Sequence, residues 1–170
     1  IRHGESTAQL RPDLIGGRTA GANLTPLGKA QAMALGIRLK HEHIRYDLIY
    51  SSPFPRARQT AFQICACLSF DFGRLSFVPE VEELSRGSWE GQPRETVFTP
   101  QHDAQAPWFT CPEGESQKTA QRRISQWVEK TFILDKSFWP ETPRRWRIAV
   151  VGHGTIFKCL FQDILGLESR

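Results

Sequence analysis

The stretch Arg147-Ile148-Ala149-Val150-Val151-Gly152 constrains the fold of this chain more than any other. Ile148 to Val151 are apolar without alternation, so a strand here presents apolar side chains to both of its faces. Strands of that kind belong to parallel sheets covered by helices on both sides. Gly152 ends the run, and His153-Gly154 follow at once. The rest of the chain must therefore supply covering helices, and this strand ends on a polar residue.

Helices and strands alternate through most of the sequence. Thr25-Pro26 reads as an N-cap followed by proline at the first helical position. Leu27, Ala30, Ala34, Ile37 and Leu39 give an apolar stripe as far as about Lys40. Asp47 to Tyr50 reads as a short buried strand, stopped by Ser51-Ser52-Pro53. A helix is expected from about Pro55 to Leu68, and a strand over Leu75 to Val78, closed by Pro79. Another helix starts near Ser116, with Ala120, Ile124, Trp127, Val128 and Phe132 facing the core. Trp139-Pro140 and Pro143 mark a loop. The last helix spans about Thr155 to Leu165 and carries Ile156, Leu160 and Phe161. Residues 4–24 read as a long loop around Gly16-Gly17-Arg18, and long loops in compact domains are usually functional. Residues 79–114, punctuated by glycine and proline from Gly87 to Gly114, read as an irregular excursion with one short helix. This order predicts the α/β class, a sandwich with a largely parallel sheet, in a single domain over residues 1–170. Only Ile1 precedes Arg2, and Leu167-Glu168-Ser169-Arg170 follow directly on a helical pattern, so more chain is expected at both ends.

Composition removes several classes of function. With 39% hydrophobic and 24% charged residues the chain is an ordinary globular one. No apolar run approaches the ~20 residues of a membrane span. The first residues do not have the make-up of a signal peptide, so a cytoplasmic setting with no membrane partner is expected. Cys65, Cys67, Cys111 and Cys159 form no CxxC pair, and the histidines show no HExxH spacing, so no metal site is expected and the cysteines read as reduced core residues. The net charge is +4. Its clusters, Arg56/Arg58, Arg122/Arg123 and Arg144/Arg145/Arg147, are not interleaved with regularly spaced aromatics. They read as solvated faces rather than a nucleic-acid surface. A homodimer is left open.

Sites in parallel sheets lie at the carboxyl ends of the strands. Arg2-His3, Ser51-Ser52 and His153 all fall at such ends, so they can meet at one edge. Two histidines, two arginines and one acid would suffice for phosphoryl transfer. A neutral imidazole is a competent nucleophile near pH 7. Arg2 and Arg56 can neutralise phosphoryl oxygens with planar, permanently charged forks, and Arg56 opens a helix whose positive end adds to the field. His153 supplies a further donor. A carboxylic acid protonates the leaving alkoxide and later activates water, and the arginines make a metal unnecessary. Each residue also has a plainer use. A histidine after a strand often only makes structural hydrogen bonds, Arg56 alone would be an ordinary surface arginine, and Glu83 shares an acidic patch with Glu80 and Glu82. On the residues alone, an arginine-rich anion-binding site without chemistry stands beside the phosphoryl-transfer site.

Six segments in order tip that balance. Arg2-His3-Gly4-Glu5-Ser6 resembles the opening signature of the histidine phosphatase superfamily, the phosphoglycerate mutase-like proteins. Leu24-Thr25-Pro26-Leu27-Gly28 with Gln31-Ala32 resembles the family's LTxxGxxQA, and residues 52–61 resemble SPxxRAxQTA. Residues 83–91 resemble ExxxGxWEG, which picks Glu83 from its neighbours. Gly114-Glu115-Ser116 with Arg123 resembles GES…R, and residues 150–154 resemble the second-histidine motif. The resemblance implies an α/β/α three-layer sandwich. It implies His3 as the nucleophile that becomes phosphohistidine, Arg2, Arg56 and His153 as phosphoryl ligands, Glu83 as general acid/base, and no cofactor. Gln9, Gly154, Arg18 and Arg86 are expected to contact the substrate, a small phosphorylated metabolite. Gln9 stands where the family often has asparagine. Arg86 stands where an aromatic is common and is expected to face a second anionic group. Residues 92–112 are expected to shape the pocket with Arg18 and Arg86. Gly16-Gly17-Arg18 replaces the Gly-Trp segment of the glycolytic mutases, and the arginine-tyrosine-rich stretch beside their acid is absent. These departures favour a phosphatase over a mutase, with a catalytically silent phosphate-ligand-binding protein as the reading from another class.

Overall fold

A computed structural model of the chain describes residues 1–97, 99, 102, 105, 108–139 and 144–167. Its framework is a parallel sheet of β1 (Leu48–Ser51), β2 (Leu75–Phe77) and β3 (Ile148–Val151), in the order β2-β1-β3 among the described residues. Residues 1–3 continue the sheet beyond β3. Arg2 pairs with Gly152 in parallel, the amino terminus donates to the Val150 carbonyl, and His3 N–H donates to the Gly152 carbonyl.

The main helices among the described residues are α1 (Pro26–His41), α2 (Pro55–Leu68), α3 (Arg94–Val97), α4 (Gln117–Val128) and α5 (Gly154–Ile164). The two faces of the sheet are covered by different helices. Ile49, Ala149 and Val151 pack with Ala57, Ala61 and Cys65 of α2. Tyr50 and Val150, on the opposite face, pack against Ile124 and Trp127 of α4 and Ile156 and Cys159 of α5. The doubly apolar strand is thus covered on both sides, and the fold is the expected three-layer α/β/α sandwich.

Chain punctuation places the elements closely. Thr25 caps α1 by accepting from Gly28 N–H, with proline in the first turn, and Pro55 opens α2 in the same way. Ser116 caps α4 through Thr119 N–H, and α4 runs on into a π-turn at Glu129–Ile133 that brings Phe132 to the core.

The stripe expected to bury α1 is the wrong one. Leu27 is 54% and Ile37 56% exposed, and Ala30 and Ala34 are exposed as well. The buried face is Gly28, Ala32 and Gly36. Close approach to α2 is the reason. A Cβ at Gly36 would lie 2.7 Å from Cys67 Cβ, and one at Gly28 would lie 1.9 Å from the Glu5 carbonyl oxygen. Small residues win this face because the backbones nearly touch. The irregular regions also hold more structure than expected. Residues 4–24 contain a 3-10 turn at Thr7–Leu10, and 79–114 contain 3-10 turns at Pro79–Val81 and Gly87–Trp89 besides α3. The two regions are joined at Leu14–Pro93, with Ile15 bonded to Gln92 and Gly91. The expectations made on Pro100, Pro107, Pro140, Pro143 and residues 168–170 lie outside the described residues.

Candidate active site

The strand ends do converge. A cavity of about 260 Å³ opens at the carboxyl edge of the sheet, lined by Arg2, His3, Ser6, Gln9, Arg56, Glu83 and Arg86 among others. Four arginines, Arg2, Arg56, Arg86 and Arg94, share that wall with one carboxylate, Glu83. The site is therefore built for an anion.

His3 leaves its strand with a defined tautomer. Its Nδ1 lies 2.6 Å from the Gly4 carbonyl oxygen. A carbonyl only accepts, so Nδ1 carries the proton and Nε2 keeps its lone pair. Burial pushes the imidazole pKa down to about 4, the Gly4 bond opposes this, and the positive fields of Arg56 and Arg2 lower it further. His3 is thus neutral at pH 7. Gly4 lets the chain turn away directly beneath it: a Cβ there would sit 2.4 Å from the Gly28 carbonyl oxygen. Gly4 N–H is held by Thr60 Oγ1, and Glu5 is held by Gln31 and Thr25, so α1 and α2 both brace the turn.

Arg56, in the first turn of α2, is 4% exposed. Its Nε donates to His153 Nδ1 at 3.2 Å and its Nη2 to the Gly17 carbonyl at 2.8 Å. Among the described residues its buried Nη1 has no partner. A buried guanidinium with one unused donor on an anion-sized cavity is costly unless a ligand completes it.

His153 takes a position of its own. It is fully buried, its ring edge-on to His3 with centroids 5.1 Å apart. Because Arg56 must donate to Nδ1, the proton sits on Nε2, which lies 2.8 Å from Ser52 Oγ. Burial, then the charge of Arg56, pushes its pKa down to about 2. The histidine expected to donate to the phosphoryl group thus has both ring nitrogens engaged, to Arg56 and Ser52.

Glu83 reaches the cavity from the 79–114 excursion. Its Oε1 accepts from Leu84 N–H at 2.8 Å and Ile156 N–H at 3.1 Å, and its Oε2 accepts from Thr155 N–H at 3.2 Å. It thus caps the amino end of α5. Gly154 adjoins Arg2: a Cβ there would lie 3.6 Å from Arg2 Nε.

The remaining expectations divide. Gln9 and Arg86 lie on the cavity wall, and Gln9 Oε1 also accepts from Ser6 N–H. Arg18 does not line the cavity. Its guanidinium is paired with Glu82, Glu115 and the Glu83 carbonyl. Of residues 92–112, Arg94 lines the cavity. Ser6, Gly17, Arg94 and Thr155 also line it, and sequence reasoning singled out none of them as a site residue. Thr155 follows the second-histidine motif directly, which is the one available signal. Arg94 had none beyond its neighbourhood. Among the described residues no group of three or more His, Cys, Asp or Glu is gathered as a metal would need, and no helix is long and apolar enough to cross a membrane.

Comparison with known proteins places the chain in a family. Residues 1–170 match the histidine phosphatase superfamily, branch 1. A 2,3-bisphosphoglycerate-dependent phosphoglycerate mutase of Bartonella henselae is 26% identical over 176 residues, covering all of this chain and 82% of the mutase. Phosphoserine phosphatase 1 of Hydrogenobacter thermophilus is 27% identical, over 86% of this chain and 66% of its own length. The structure of a mycobacterial glucosyl-3-phosphoglycerate phosphatase superposes with a TM-score of 0.78 at 20% identity, covering 98% of this chain and 78% of that one, a likeness of fold. The chain belongs to the histidine phosphatase superfamily, branch 1.

Proposed function

We propose that the chain is a cytoplasmic phosphomonoesterase that hydrolyses a small phosphorylated metabolite through a phosphohistidine at His3. One observation carries this reading: a neutral His3 whose Nε2 is left available by the Nδ1 bond to Gly4, on a cavity that Arg56, with one buried nitrogen unpartnered among the described residues, also lines. In the first step His3 Nε2 bonds to phosphorus, the ester P–O bond breaks, and protonated Glu83 gives its proton to the leaving alkoxide. Glu83 Oε2 carries a single, longer N–H contact and is the less engaged of the two oxygens. In the second step water attacks phosphorus, Glu83 takes the water's proton, and the N–P bond breaks to release phosphate. Arg2 and Arg56 neutralise the phosphoryl oxygens throughout, so the mechanism needs no metal. His153 orients Arg56, and by exchanging Ser52 for a phosphoryl oxygen its Nε2–H can add a donor.

The test is a rapid acid-free quench with an aryl phosphate, followed by a search for base-stable phosphate on the protein. Wild-type protein should carry phosphohistidine and turn over; His3→Ala should do neither. Wild-type turnover in His3→Ala, or loss of activity with a chelator, sinks the reading. The mutase relatives support a second reading, transfer of the phosphoryl group back to a sugar acid. It requires interconversion of phosphoglycerates stimulated by a bisphosphorylated primer, which the same protein can be assayed for directly. Phosphate binding without either activity would point to a silent binding protein.

A further inference from the structure

Arg18 does not touch the cavity, yet it joins the two halves of the site. Its backbone N–H donates to Glu90 Oε1 at 2.9 Å. Its Nε donates to the Glu83 carbonyl at 2.9 Å, its Nη1 meets Glu82 Oε2 at 3.2 Å, and its Nη2 meets Glu115 Oε1 at 2.9 Å. The fork thus grips the main chain of the acid/base candidate and the side chain just before it. Glu115 closes the grip by accepting from Ser85 N–H at 3.2 Å and from Arg123 Nη2 at 2.7 Å. Arg123 Nη1 in turn holds the Glu80 and Glu82 carbonyls at 2.6 and 3.2 Å.

The other end of the connection is one residue back. The Gly17 carbonyl is the acceptor that fixes Arg56 Nη2. Loop 16–18 cannot shift without moving that carbonyl. Glu90 pins the same loop, and it also accepts from Arg86 N–H at 2.9 Å. Glu82 and Glu115 are 19% and 12% exposed at their side chains. Partly buried ion pairs return little stability after desolvation, so their geometry is the more telling property.

We infer that Arg18 is a positioning residue, which holds the Glu83 carboxylate and the Arg56 guanidinium in register across the cavity through the Glu83 carbonyl and Gly17. The inference rests on the reading of Glu83 as general acid. It has a chemical signature. An aliphatic alkoxide must be protonated as the P–O bond breaks, whereas p-nitrophenolate leaves without a proton. A displaced acid therefore slows alkyl esters and spares the aryl ester.

The experiment compares kcat/KM for ethyl phosphate and p-nitrophenyl phosphate in wild type, Arg18→Met and Arg18→Lys, with thermal midpoints, and repeats Arg18→Met in a Glu83→Gln background. Arg18→Met should cost the alkyl ester about 10-fold more than the aryl ester, within the range known for small misplacements of reacting groups. Arg18→Lys keeps a charge between Glu82 and Glu115 but cannot also serve the Glu83 carbonyl. It should recover the midpoint and not the alkyl rate. In Glu83→Gln, removing Arg18 should add nothing to the difference between the esters. Equal losses on both esters, or full recovery of the alkyl rate by lysine, overturn the inference while leaving the phosphatase reading standing. If Arg18→Met does not fold, Arg18→Lys decides alone by the same comparison. Wild-type protein that hydrolyses neither ester in a His3-dependent way removes the phosphatase reading, and the inference with it.

Discussion

Arg56 spends its guanidinium in three directions, and that geometry sets the first prediction. It donates to His153 and to Gly17, and its buried third nitrogen has no partner among the described residues. Arg56→Ala should lower kcat/KM by on the order of 10²–10³, as the loss of one preorganised donor does elsewhere. Arg56→Lys should recover little, because a point charge cannot hold both anchors and reach the ligand. His3 predicts a pH profile. On the proposed mechanism it acts as a neutral nucleophile, and with a pKa near 4 it is neutral above that value, so kcat/KM should fall as pH drops through about 4. His153 predicts a stability profile. Its folded pKa, about 2, lies below an unfolded value of about 6.5. Below pH 6.5 the unfolded chain takes up a proton at this residue that the folded chain refuses. The stability present above pH 6.5 is therefore lost as pH falls, by about 1.4 kcal/mol per pH unit for this one group. Urea unfolding at pH 6.5, 5.5 and 4.5 should show that slope in wild type and a shallower one in His153→Gln. At this scale the residues next to strand ends were legible, because a strand's end fixes where they go. The partners of Arg18 were not legible because a loop residue's direction depends on residues over sixty positions away, and nothing in the local pattern names Glu82, Glu83 or Glu115 as those partners.

Element boundaries were legible because proline, glycine and capping residues act locally. α2 spans Pro55–Leu68 as the punctuation predicts, and β3 lies within the apolar run that demanded it. The face of α1 was not legible, since hydrophobic spacing assumes that large apolar residues go inward. Here the approach to α2 and to the His3 turn selects glycine and alanine instead. The prediction at this scale reverses the usual expectation for a helix. Gly28→Ala, which puts a methyl group onto the Glu5 carbonyl, should destabilise by about 1–3 kcal/mol, the range of overpacking, and should slow turnover because Glu5 follows the His3 turn. Gly36→Leu should destabilise at least as much. Ile37→Lys, one position on and 56% exposed, should stay within about 0.5 kcal/mol of wild type. Chemical denaturation midpoints decide this. A large loss from Ile37→Lys would mean that the exposed stripe is covered in the folded protein.

At the scale of the molecule, the site has no local nucleus. His3 and His153 lie at opposite ends of the sequence, and they meet because residues 1–3 pair with β3 while Arg56 arrives with α2 and Glu83 with the excursion. A site assembled this way should exist only when the whole sheet does. Activity and tryptophan fluorescence should then be lost at the same urea concentration, as in a two-state transition. Inorganic phosphate should couple to that transition if, as proposed, it binds only the assembled cavity. At 100 times its Kd it should raise the unfolding free energy by about 2.7 kcal/mol. The shift should vanish in Arg56→Ala, which removes the buried donor, and persist in Ile37→Lys, which lies away from the cavity. Chloride at matched ionic strength should leave the midpoint unmoved. Activity lost well before fluorescence would show that the carboxyl edge opens separately from the α4–α5 core. In that case phosphate would protect activity without moving the fluorescence midpoint, and the same titration would reveal it.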